Sequence, residues 1–194
     1  MLAGASDVSI QVCRNFPGFR ERLRDATATA HRELDARMSA FDLTLSSGYR
    51  RFLQASAGAL LPLEAALVDA GVAKMFSDWP ERTRSAAIAA DLDQLGGTAH
   101  ATVSVRPLTA SGIIGTMYVL EGSRLGAKFL LKAVAAAADP RIREATAYLS
   151  HGNGKRLWQS FLSKLACEES CDEGEAIEAA RSAFAAFERA VDRS

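Results

Sequence analysis

The sequence is poor in most of the residues that announce a specialised chemistry. It has three cysteines, Cys13, Cys167 and Cys171, too few for a disulfide scaffold and odd in number, so reduced thiols are the expected state. Cys167 and Cys171 stand one helical turn apart, but no second pair exists to complete a zinc site. Neither sign of charge is in excess, since 23 Lys plus Arg face 23 Asp plus Glu. That balance gives no electrostatic reason to expect nucleic acid or a membrane surface as a partner. No uncharged apolar run reaches the roughly 18 residues of a membrane span. The opening MLAGASDVSIQVCRNF lacks the basic-then-apolar pattern of a signal peptide. No Glu-x-x-His pair occurs, which argues against a di-iron bundle. These absences predict a cytoplasmic chain that meets neither nucleic acid nor bilayer.

What is present is alanine and helical periodicity, with no convincing alternating strand. The reading is a single all-α domain over 16–194, a bundle of about seven helices, preceded by a loose arm over 1–15. The first helix is predicted from Pro17 to Met38, with Phe19, Leu23, Ala26, Ala30 and Leu34 as its core stripe. Ser46 or Ser47 caps a second helix that Gly71 stops, with Pro62 as a kink point. Pro80 opens a third that ends at Gly96-Gly97. A fourth, glycine-bearing helix covers about 107–138, and Asp139-Pro140 starts a fifth that ends at Leu149. A sixth carries Leu157, Trp158, Phe161, Leu162 and Leu165. A last one carries Ile177, Ala180, Phe184, Phe187 and Val191 at helical spacing.

The fourth helix poses the main question. It contains Gly112, Gly115, Gly122 and Gly126, and each glycine inside a helix costs about 0.8–1 kcal/mol against alanine. With Gly112 at zero on a helical wheel, Gly115, Gly122 and Gly126 fall near ~300°, ~280° and ~320°. Val119 lies within this stripe, Ser123 and Ala127 along its edge, Tyr118 beside it, and Glu121 opposite. Two uses fit a bare backbone stripe: close helix–helix packing, or a flat ligand lying against the helix. Spacing alone leaves both open.

The second feature is His31 in the first helix. Arg24, Thr27, Leu34 and Asp35 share its side, so an imidazole borders the core stripe two turns from a cation. A single histidine of this kind is either a structural side chain or an axial ligand for heme iron, with the cation placed to meet a propionate. His100 and His151 fall in expected loops or helix ends and read as surface residues.

Taken together, LRDATATAHRELD, YRRFL, DLDQLG, YVLEGSRLGAKFLLK and GKRLWQSFLSKL resemble, in order and over about residues 20–168, a heme oxygenase of the bacterial, biliverdin-producing type. The EGSxLGA core is the more specific part. The resemblance implies a heme oxygenase-like helical domain in which heme is both substrate and cofactor. It also implies oxidative cleavage to biliverdin with release of CO and ferrous iron, using O2 and electrons from an external reductase or ferredoxin as redox partner. On it, His31 matches the proximal iron ligand, and Gly122, Ser123, Gly126 and Ala127 match the distal helix, with Gly122, Ser123 and Gly126 nearest the reaction. Arg24 matches a basic position near a propionate, and Lys132 a late distal-helix lysine with the same role. Thr27 and Tyr118 would also touch the heme. Animal members carry an aspartate where Ser123 stands, and Ser123 would instead help hold an ordered water. Arg124 and Lys128 point away from the stripe on the wheel and are expected at the surface or in a docking patch. A non-catalytic heme carrier or sensor with the same fold is the alternative. A thiaminase-like hydrolase would need a core cysteine that the stripes do not offer.

Overall fold

Helices form where the apolar spacing places them, but several break where a distant carboxylate takes their backbone N–H groups. The computed structural model describes residues 17–167 and 170–194; the expected N-terminal arm, with Cys13, lies outside the described residues. Among those described, ten helical segments follow one another with no strand. They are α1 (Pro17–Met38), α2 (Ser46–Asp69), α3 (Val72–Met75), α4 (Trp79–Arg82) and α5 (Ser85–Gln94), then α6 (Ala110–Ala135), α7 (Pro140–Glu144), α8 (Ala147–Ser150), α9 (Leu157–Cys167) and α10 (Glu173–Asp192).

The all-α architecture is as expected, while the count of about seven is low because two predicted helices are split and a short one, α3, begins after Gly71. Between α4 and α5 the buried Glu64 carboxylate accepts from Thr83 Oγ1, Arg84 N, Ser85 N and Ser85 Oγ, at 2.5, 2.7, 3.0 and 2.6 Å. Between α7 and α8 the buried Asp91 accepts from Ala147 N at 2.9 Å and Tyr148 N at 2.8 Å. Each carboxylate supplies partners that a helix start otherwise lacks, so a short helix begins afresh there. α6 starts at Ala110 rather than 107 because the Thr109 hydroxyl caps it, accepting from Gly112 N at 3.0 Å.

α2 and α10 carry the core. α2 is long and apolar enough to cross a membrane by length and composition, yet most of it is buried inside the protein. Leu53, Leu60, Leu63 and Leu67 are all buried there, and full burial of such a side chain contributes roughly 1.5–3 kcal/mol. α10 packs against α6, α1 and α2. Its buried face is Ala176, Ala180, Ala183, Phe184, Ala186, Phe187 and Ala190, with Ile177 and Val191 only half-buried. The small residues face its neighbours because α6 and α2 approach closely.

α1 lies along α10 in the same direction. Arg22 Nε donates to Glu173 Oε2 at 2.7 Å, Arg181 Nε to Ala26 O at 3.1 Å, and Arg37 pairs with Asp192. Its buried residues are Phe19, Leu23 and Thr27, while Ala26, Ala30 and Leu34 are half-buried. Successive contacts with α10 thus fix the rotation of α1 about its own axis.

Candidate functional site

α6 also meets α10 in this sense, with Ser111 Oγ accepting from Asp172 N at 2.9 Å. At Gly115 an added Cβ would lie 1.9 Å from Ala176 O, so this glycine serves close helix packing. Gly112 sits beneath Leu108 and Thr109, at the edge of a groove of about 470 Å³ that Thr116, Glu178 and Ser182 also line. Further along the stripe the surroundings open. A Cβ at Gly122 would meet Trp158 only at 3.8 Å, and one at Gly126 would have nothing within 4 Å. The two uses of a glycine stripe therefore divide along one helix: packing at its start, bare accessible backbone at its end.

α1 and α6 approach one another at Tyr118. Burial pushes the Tyr118 phenol above its ordinary range, while Arg20, the Thr27 hydroxyl and Arg24, all on α1, draw it back down. One turn past Thr27 stands His31, and one turn past Tyr118 stands Gly122. The Tyr118 ring is also 5.7 Å from that of Trp158, which lies under Gly122. Thr27 is buried and donates to Leu23 O at 2.7 Å, so its side chain is fixed rather than free to reorient.

The His31 side chain is 60% exposed, with Nδ1 3.0 Å from Asp35 Oδ2. Its ring sits edge-on to Phe184 of α10, centroids 5.8 Å apart. With Nδ1 engaged by a carboxylate and one ring edge against Phe184, Nε2 is the nitrogen left for a ligand. Asp35 is thus the carboxylate beside the second ring nitrogen, visible in the sequence only as an i, i+4 neighbour.

Arg24 is exposed and pairs with Asp25 at 2.9 Å, and Arg20, which sequence reasoning passed over, shares its side of α1. Ser123 is exposed; its hydroxyl donates to Leu120 O at 2.8 Å and accepts from Arg84 Nη2 at 3.2 Å. Ala127 is half-buried. Lys132 is exposed, its Nζ 5.9 Å from the Phe129 ring centre. Phe129 and Leu125 are exposed large apolar side chains, at 73% and 50%, beside the open glycines. A flat apolar ligand with acidic substituents fits these surroundings: an available imidazole nitrogen, side-chain-free backbone, exposed apolar groups and cations at the margin.

One expectation is overturned. Arg124 is not a surface residue; it bonds Glu121, Arg82 O, His151 O and His151 Nδ1. The wheel places it correctly away from the stripe, but that side faces α4 and the turn after α8 rather than water. His151 is likewise half-buried through this contact. Lys128 is exposed as expected.

Comparison with known proteins bears on the family and the fold. The heme oxygenase family matches residues 18–193. Heme oxygenase PigA of Pseudomonas aeruginosa is 32% identical over 178 residues, spanning 89% of each chain. In fold, the chain is similar to the NO- and CO-bound heme oxygenase of Neisseria meningitidis, with a TM-score of 0.71 at 24% identity, covering 90% of both chains. The chain belongs to the heme oxygenase family.

Proposed function

We propose that the chain binds heme between His31 and the Gly122–Gly126 backbone and opens it to biliverdin, releasing CO and ferrous iron. O2 and electrons from a separate reductase or ferredoxin are consumed, and the reaction belongs to the cytoplasm, away from membranes and nucleic acid. The observation that carries the placement is the open backbone at Gly126, where nothing lies within 4 Å of a missing Cβ. A glycine there costs the helix about 1 kcal/mol with no protein neighbour to justify it. Family membership favours turnover over the carrier or sensor alternative.

Bound heme supplies the iron at which O2 is reduced and the ring that is cleaved; the protein supplies placement. His31 would hold the iron through Nε2, with Asp35, 3.0 Å from Nδ1, orienting the ring. Bare backbone on the other face leaves space for a small molecule and excludes a second side-chain ligand. Ser123 has one hydroxyl lone pair left after its bonds to Leu120 O and Arg84, so it can fix a water by accepting from it. Tyr118 and Thr27, on facing helices one turn before Gly122 and His31, would meet the inner edge of the heme. Arg24, Arg20 and Lys132 offer cations to the propionates.

The test is direct. Purified protein given hemin, a reductase system and air should lose its Soret band and gain a bilin absorption. His31→Ala should lose the histidine-ligated spectrum and most turnover; an unchanged spectrum removes His31 from the site.

A further inference from the structure

The two halves of α6 are held very differently. From Ser111 to Glu121 every residue except Tyr118 is buried, whereas after Glu121 the next buried residue is Val134. The change falls at the first of the two open glycines. Immediately before it stands Glu121, a carboxylate only 1% exposed whose partner Arg82 is 2% exposed, at 3.1 Å.

Arg82 is itself fixed from several directions. It donates to both oxygens of Asp78, at 2.8 and 2.7 Å, to Leu157 O at 3.1 Å and to Ser160 Oγ at 2.7 Å. On the other flank, Arg124 reaches Glu121 Oε2 at 3.0 Å and Oε1 at 3.1 Å. It continues to Arg82 O at 2.5 Å, His151 O at 3.2 Å and His151 Nδ1 at 3.1 Å. Glu121 therefore ties α6 to α4, to the first turn of α9 and to the turn after α8. Apolar packing of similar volume is often as stabilising as a buried ion pair, but it tolerates sliding and rotation, whereas these bonds fix both direction and distance.

We propose that Glu121, gripped by Arg82 and Arg124, is a positioning residue. It is the last buried residue of α6 before the open glycines and, together with Arg124, sets the angle at which the Gly122–Gly126 backbone lies over heme. The proposal rests on the heme oxygenase reading above. The four meso carbons of heme lie at the same distance from the iron in different directions, so a small rotation of that backbone changes which of them is favoured, and how fast it reacts.

The experiment compares wild type with Glu121→Gln and Arg124→Met, each loaded with hemin and supplied with reductase and air. The variants should keep the histidine-ligated spectrum and heme affinity. Their kcat should fall about 10-fold, within what small misplacements cost, and their ratio of biliverdin isomers should differ from wild type. Folded variants with unaltered kcat and isomer ratio overturn the proposal, as does a loss of stability alone, since a merely structural pair leaves the ratio fixed. A wild type that makes no bilin overturns the underlying reading instead. Should neither variant fold, amide hydrogen exchange on the wild-type heme complex decides. Amides at 120–124 exchanging more slowly than those at 125–131 support the proposal, and equal rates refute it.

Discussion

The Nδ1 of His31 and the Oδ2 of Asp35 are 3.0 Å apart on consecutive turns of α1. A carboxylate beside Nδ1 favours the tautomer in which that nitrogen carries the proton and Nε2 is left for a ligand. Partners of this kind typically change metal affinity or activity ~10–100-fold, but this pair is largely exposed, and exposed pairs are weak. Asp35→Asn is therefore expected to keep histidine ligation, lower the Fe–His stretching frequency and reduce turnover by about 10-fold at most. Resonance Raman spectra of the ferrous heme complex check it; an unshifted stretch would mean that Asp35 does not orient the ring.

Gly115 and Gly126 share one helical face but should respond oppositely to the same methyl group. At Gly115 the added carbon would overlap Ala176 O at 1.9 Å, so Gly115→Ala must push α6 and α10 apart. A loss of about 1–3 kcal/mol or more in denaturant melts is expected. At Gly126 the carbon meets nothing, and Gly126→Ala should raise apo stability by up to ~1 kcal/mol through helix propensity while weakening heme binding and turnover. Hemin titration beside the same melts separates the two positions; full heme affinity in Gly126→Ala would remove that glycine from the site.

His151 gives a pH signature. Burial first, then the cations of Arg124 and Arg84, hold its imidazole below the ordinary 6.5, with Glu64 opposing and Lys155 adding to the shift. The unfolded chain takes up a proton at this residue near pH 6.5 while the folded chain does not, so stability falls as pH drops below that value toward the folded pKa. Above it, His151 contributes no slope. Asp78, held low by its hydrogen bonds to Arg82, titrates in a separate window below its ordinary 3.8. Thermal melts of His151→Gln should accordingly lose less Tm than wild type as pH drops below 6.5. Equal losses would locate the proton uptake elsewhere.

What the sequence discloses and what it hides follow from range. α1, α2 and α10 are legible because their apolar residues recur at the helical period, and His31 and the glycine stripe stand out as local departures from a good helix. The division of that stripe is not legible, because it depends on where α10 approaches α6 and where it stops doing so. The break at Thr83 is invisible for a similar reason, since the carboxylate that captures the next helix start belongs to Glu64 in α2. Arg124 shows the same limit. A wheel gives its direction from the helix axis, but only the partners Arg82 and His151, distant in sequence, turn that direction from water into an interior. Asp35 is local and visible, but its role depends on the rotation of His31, which the contact with Phe184 in distant α10 biases.

That last contact has a biosynthetic consequence. The ring that would hold the iron leans on Phe184, so a nascent chain emerging from the ribosome displays the histidine long before the residue that braces it exists. Loading with heme should then follow the emergence and folding of the segment that carries Phe184 rather than that of His31.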